Sequence, residues 1–258
     1  MAEIKYSDGR YEGEVKDSEP HGRGVYYFAD GGRYDGEWED GNFHGRGVYY
    51  YADGDRYDGE FKDGNFNGRG VEYFADGGRY EGEWKDGERN GHGILYYADG
   101  DRYEGEWKDG KRNGRGVEYY ADGGKHYDGE YKDGNFNGHG VEYFASGNRY
   151  DGEYKDGKPH GHGVLYLTSG NRYDGEWKDG NFNGRGALYN SDGKIFYDGE
   201  WKDGKWHGYG VAYYTSGDHY DGEFKDGNKH GRGVMYFADG SKRKGKWKND
   251  KRVGLFGW

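Results

Sequence analysis

The chain has 258 residues with a formal net charge of -11; 31% are hydrophobic, 19% aromatic, and 56 are glycine. It has no cysteine, which excludes disulfides and thiolate metal sites, and no run of about 20 apolar residues that would span a bilayer. So few aliphatic residues exclude a thick core, the acidic balance opposes nucleic acid and anionic lipid, and aromatics at fixed spacing argue against disorder.

A unit opening on tyrosine recurs at Tyr11, Tyr34, Tyr57, Tyr80, Tyr103, Tyr127, Tyr150, Tyr173, Tyr197 and Tyr220, with a divergent start at Arg243. Two steps carry one extra residue before the next tyrosine, near His126 and Ile195. In the unit from Tyr57, the alternation of Tyr57, Gly59 and Phe61 with Asp58, Glu60 and Lys62 predicts a strand with one aromatic and one charged face. Asp63-Gly64-Asn65 predicts a turn, and Gly68 to Phe74 a return strand. Ala75-Asp76-Gly77-Gly78 predicts a second turn. No segment shows a helical apolar period, and glycine every few residues opposes helix.

The expected fold is therefore all-β: one elongated antiparallel meander of hairpin repeats, about 100 Å long at about 10 Å per repeat, twisted or curved. Residues 1–258 read as a single array, with regular units over 11–242 and capping segments at 1–10 and 243–258. The aromatic series Trp38, Phe61, Trp84, Trp107, Tyr131, Tyr154, Trp177, Trp201, Phe224 and Trp247 is expected to share one thin core with Val48, Val71, Ile94, Val117, Val141, Val164, Val211 and Val234. Glycines such as Gly59, Gly68 and Gly70 are expected to let large rings lie over the backbone.

The pattern Tyr-x-Gly-x-Trp-x-x-Gly-x-x-x-Gly-x-Gly, complete from Tyr173 to Gly186, resembles the MORN repeat family. The resemblance covers about ten units and a terminal fragment. It implies an elongated antiparallel sheet acting as a protein-binding or scaffolding array, in cytoskeletal, ciliary or junctional membrane assemblies. A role at phosphoinositide membranes has also been put forward for the family. The ends depart from the pattern: Val15 and Ser18 replace the ring and the turn glycine, and Arg243 and Phe256 replace the last tyrosine and a glycine.

Several features are candidates for binding. Phe28, Tyr51, Phe74, Tyr97, Tyr120, Phe144, Tyr214 and Phe237 fall on the face opposite Val71, where they would form a groove of rings for a helix or an extended peptide. Phe43, Phe66, Phe136, Phe182 and Trp206 follow the first turn, where they either pack along an edge or anchor a partner. Asp/Glu-Gly-Glu in each unit predicts an acidic stripe, partly offset by lysines. His21, His44, His160, His207 and His230 alternate with asparagines at one station, as hydrogen-bonding groups that fix a turn would. Lys242, Arg243, Lys244, Lys246, Lys248, Lys251 and Arg252 form a basic patch suited to acidic lipid or an acidic partner. Val253, Leu255, Phe256 and Trp258 are candidates to cover the last sheet edge.

No nucleophile stands beside a base, and the Gly-x-Gly pairs lack the following helix a phosphate loop needs. The expectation is no enzyme, no cofactor, no metal and no nucleic acid. A protein or peptide partner is expected, in the cytoplasm, on the cytoskeleton or at a membrane surface. Lipid binding through the basic patch and self-assembly are the alternatives, with monomer and dimer both open.

Overall fold

The computed structural model describes residues 2–254. They form twenty-three strands and no helix, so none is long and apolar enough to cross a membrane. The chain divides into two compact units, Met1–Asn135 and Phe136–Trp258.

The first holds β1 (Ala2–Tyr6), β2 (Gly9–Lys16), β3 (Glu19–Phe28), β4 (Arg33–Glu39), β5 (Asn42–Tyr50), β6 (Arg56–Lys62), β7 (Asn65–Tyr73), β8 (Arg79–Lys85), β9 (Glu88–Tyr96), β10 (Arg102–Lys108), β11 (Lys111–Tyr119) and β12 (Lys125–Lys132). The second begins with β13 (Asn135–Tyr143), β14 (Arg149–Lys155), β15 (Lys158–Tyr166), β16 (Arg172–Lys178), β17 (Asn181–Tyr189) and β18 (Ile195–Lys202). It continues through β19 (Lys205–Tyr213), β20 (His219–Lys225), β21 (Asn228–Tyr236), β22 (Lys242–Lys248) and β23 (Lys251–Gly254). Within each unit, consecutive strands pair antiparallel.

The turns follow from their residues. Asp63 and Gly64 join β6 to β7 with φ of 47° and 82°. Positive φ at both central positions is the type I′ geometry, whose twist suits a hairpin. In the first unit Ser18 takes the glycine's place at φ 70°. After β7, Phe74 N–H donates to Gly78 O at 3.0 Å, and Asp76 Oδ1 accepts from Gly78 N–H at 2.8 Å. Repeats are also stitched through backbone: Gly64 N–H donates to Phe43 O at 3.0 Å, and Gly87 N–H to Phe66 O at 2.9 Å.

The core is a layer of rings on one face. Tyr57 is fully buried, and its hydroxyl donates to Glu60 O at 3.1 Å. A Cβ placed on Gly59 or Gly70 would stand 2.5 or 2.3 Å from that hydroxyl oxygen, so the ring lies against two bare glycines. Phe61 and Trp84 meet the same ring edge-on, at centroid distances of 5.1 and 5.3 Å. Tryptophans reach into the preceding repeat: Trp107 Nε1–H donates to Gly93 O at 3.3 Å and Trp177 Nε1–H to Gly163 O at 3.0 Å. The repeated tyrosine, tryptophan and glycine spacing is thus a clasp, in which each opening hydroxyl and five of the six core indoles donate to a carbonyl, Trp84 Nε1 being the exception.

One expectation is corrected. The valine series does not join this core. Asp58 lies opposite Val71, and Val71 opposite Glu81, so the valines occupy the charged face. On the return strand the ring face is held by Gly70 and Glu72, because only glycine leaves room beneath the tyrosine ring. Val71 is half-buried.

Candidate functional site

The register lays out chemically uniform rows on the charged face of the first unit. One row alternates guanidinium and phenol: Arg56, Tyr73, Arg79, Tyr96, Arg102 and Tyr119. Arg56, Arg79 and Arg102 sit over the rings of Tyr73, Tyr96 and Tyr119 at 4.1, 3.8 and 4.1 Å. The next row alternates acid and aliphatic: Asp58, Val71, Glu81, Ile94, Glu104, Val117 and Asp128. Beyond the glycines runs a row of Glu60, Arg69, Glu83, His92, Glu106 and Arg115. Its glutamates turn inward: Glu106 Oε1 accepts from Arg115 N–H at 2.8 Å, and the carboxylate fills the space beside Gly114, whose φ is 72°.

Between these rows opens a trough of about 870 Å³, lined by residues from Arg46 to Asp128. Its walls carry six carboxylates (Asp58, Glu81, Glu83, Glu104, Glu106, Asp128) against three guanidinium groups (Arg46, Arg69, Arg115) and His92, and two of the acids are paired at its rim, Glu81 with Arg79 and Asp128 with Lys125. Val71, Ile94 and Val117 supply apolar floor at one station per repeat. The sequence signal for it was the Asp/Glu-Gly-Glu ladder. The arginine–tyrosine row is not part of that ladder, although arginine precedes the opening tyrosine in seven of the ten units and tyrosine recurs near the end of each return strand.

The predicted ring series lies on the other face, at the second turns. Tyr51 and Tyr97 are 37% and 38% exposed, while Phe28, Phe74, Tyr120, Phe144, Tyr214 and Phe237 are half-buried. Burial and the nearby Glu72 push the Tyr51 phenol up to about 12. Phe28 and Phe43 line a cleft of about 430 Å³ with Tyr26 and Trp38. The edge aromatics are half-buried lids on the core tyrosines. Phe66 stacks on Tyr57 at 3.8 Å, Phe182 on Tyr173 at 3.8 Å, and Trp206 on Tyr197 at 4.4 Å. Phe43 stacks on Tyr34 at 4.0 Å, and Phe136 meets Tyr154 edge-on at 5.7 Å. Arg89 takes the lid position in its repeat, 4.7 Å over Tyr80, with Glu72 at 2.8 Å. Charge can stand there because a cation over a ring face, paired with a carboxylate, replaces the stacked ring.

The histidines sit at the turns. His21 Nδ1 lies 3.6 Å from Asp40, and His160 Nδ1 3.8 Å from Asp179, each an aspartate of the following hairpin turn. No group of three or more histidine or acidic residues among the described residues is placed to hold a metal ion.

The basic patch is divided by the strand period. Lys242, Lys244, Lys246, Lys248 and Lys251 share the charged face, where Lys244 and Lys246 stand at the stations held elsewhere by the acids. Arg243 and Arg252 lie on the ring face: Arg243 is 5.4 Å over Phe237, and Arg252 Nε donates to Lys244 O at 3.0 Å. Val253 is exposed in β23. Leu255, Phe256 and Trp258 lie outside the described residues.

The MORN repeat model matches eleven consecutive stretches: residues 11–33, 34–56, 57–79, 80–102, 103–125, 127–149, 150–172, 173–195, 197–219, 220–242 and 244–255. The chain belongs to the MORN repeat family. Every matched stretch but the last opens on one of the ten fully buried tyrosines. No curated protein matches this MORN array in a sequence comparison. Among solved structures it is similar to the wild-type TCP10 domain of Danio rerio CPAP, at 16% identity and a TM-score of 0.29, over 78% of this chain and 100% of that one. It is also similar to the SAS-4 (dCPAP) TCP domain in complex with a proline-rich motif of Ana2 (dSTIL) of Drosophila melanogaster, at 10% identity and a TM-score of 0.27, over 91% of this chain and 98% of that one.

Proposed function

We propose that this MORN array is a non-enzymatic protein-binding scaffold whose first unit receives an extended basic segment of a partner. The observation that carries the reading is the acidic trough over Val71, Ile94 and Val117. Its carboxylates repeat in step with the strands, about 10 Å apart along the array, the rise of three residues of extended chain. A segment in the polyproline II conformation, which turns once every three residues with a rise of about 9 Å, therefore keeps a lysine or arginine at every third position in register and on one face. The carboxylates recur in like surroundings, whereas acid–base catalysis needs two in unlike ones. A cytoplasmic, cytoskeletal or membrane-side setting goes with this role.

Selection from a random peptide library on the intact chain tests it. Enriched peptides are expected to carry cations at intervals of three and to elute with salt. Acidic or purely apolar winners would point to the ring series from Phe28 to Phe237, and no enrichment at all would contradict the reading.

A second reading rests on the five lysines of the last hairpin, whose shared face suits acidic phospholipid headgroups. It predicts salt-sensitive binding to vesicles rich in anionic lipid, lost on Lys246→Glu with Lys248→Glu. Equal binding to neutral vesicles, or no effect of the substitutions, would dismiss it.

A further inference from the structure

β1 is a strand with one partner. It pairs with β2, and no described strand covers its other side. The register is Ala2 to Gly13, Glu3 to Glu12, Ile4 to Tyr11, Lys5 to Arg10 and Tyr6 to Gly9. The two-residue turn at Ser7 and Asp8 makes Tyr6 and Gly9 a hydrogen-bonded pair. By alternation, Ile4 also directs its backbone groups to β2, and Glu3 and Lys5 direct theirs outward. Glu3 and Lys5 are exposed, while Ile4 is half-buried on the ring face.

We propose that β1 is a self-complementary docking edge whose occupant is β1 of a second copy of this chain, antiparallel about a two-fold axis at Ile4. In that arrangement Glu3 stands opposite Lys5 of the second copy, and Lys5 opposite its Glu3. Both are hydrogen-bonded pairs that use the outward amides and carbonyls. Ile4 meets the second Ile4 in a non-hydrogen-bonded pair, where side chains approach most closely. The small Ala2 stands opposite Tyr6, which leaves room for its ring. The charges favour this partner specifically. Within one chain Glu3 faces Glu12 and Lys5 faces Arg10, like charges across the ladder that are offset only along their own strands, by Lys5 to Glu3 at 3.6 Å and Arg10 to Glu12 at 3.3 Å. A second β1 gives each an opposite charge across the ladder. β23 offers no such match, since its two charged residues, Lys251 and Arg252, are both positive and Lys251 already faces Lys248. An isologous contact of this kind closes after two chains. Five residues a side bury less than a standard interface, so the dimer is concentration-dependent. The proposal is independent of the trough.

Light scattering or sedimentation on the intact chain tests it, from micromolar to near-millimolar concentration. The mass is expected to rise from one chain, 29.5 kDa, towards twice that value. The Glu3→Lys and Lys5→Glu chains should each stay monomeric, because each sets like charges against itself. Mixed in equal amounts they should recover the dimer, since the two are complementary. Circular dichroism identical to the parent's checks that neither change unfolds the array. A parent that stays monomeric throughout, single variants that dimerise like the parent, or a mixture that stays monomeric would each overturn the proposal.

Discussion

The tyrosine clasp explains why each repeat spends its residues as it does. The ten opening tyrosines from Tyr11 to Tyr220 are fully buried, and each donates its hydroxyl to the carbonyl three residues on, at 2.6 to 3.2 Å. Gly70→Ala would drive a methyl group to within 2.3 Å of the Tyr57 hydroxyl oxygen. The expected loss is about 3 kcal/mol, read as a lower denaturant midpoint. Tyr57→Phe keeps the packing and leaves Glu60 O without its donor, for an expected loss of about 1 kcal/mol. Burial raises the phenols of Tyr34, Tyr57, Tyr150, Tyr173 and Tyr197 well above their ordinary value, with neighbouring glutamates adding to the shift. A phenol raised on folding keeps its stabilising effect below the unfolded value of about 10 and loses it as pH climbs towards the folded value. The array should therefore hold its stability to about pH 10 and weaken above it. Phenolate absorbance should rise together with loss of sheet circular dichroism; buried tyrosines that ionise while the sheet stays intact would contradict this.

At the scale of the hairpin, turn chemistry and face assignment decide what the sequence makes legible. Asp-Gly turns such as Asp63-Gly64 declare the hairpins, and Tyr57 with Phe61 declares the buried face by simple alternation. Val71 misleads because apolar character alone does not say which face of a return strand is buried; that depends on Gly70 standing under Tyr57. The pairing of Arg56 with Tyr73 is invisible to local reading, because it spans 17 positions and needs the register across the irregularity after Gly59. Ser18 tests the turn account. It holds a left-handed φ of 70° where the next nine repeats have glycine and the last has Asp250. Ser18→Gly is expected to stabilise the first hairpin by about 1 kcal/mol, seen as slower amide exchange in β2 and β3, and Gly64→Ala to cost a similar amount in its own hairpin. Unchanged exchange in the serine variant would contradict the turn assignment.

At the scale of the whole molecule, repetition turns single residues into fields. A net charge of -11 is not spread evenly: the trough of the first unit is acidic, and the last hairpin of the second carries five lysines on the corresponding face. The acidic ladder was readable from the repeat, whereas the trough over it required the pairing of β6 through β12. Partners that use the trough should bind fastest at low salt and lose on-rate as salt is added. The central claim, that the acidic trough rather than the ring series holds the partner segment, is tested most directly by titrating one library-selected peptide into two variants. In Asp58→Lys with Glu104→Lys, two exposed trough carboxylates are reversed; in Phe74→Ala with Tyr97→Ala, two rings of the other face are removed. Affinity at least about tenfold weaker in the first variant and unchanged in the second is the predicted result. Retained affinity in the first with loss in the second would contradict it.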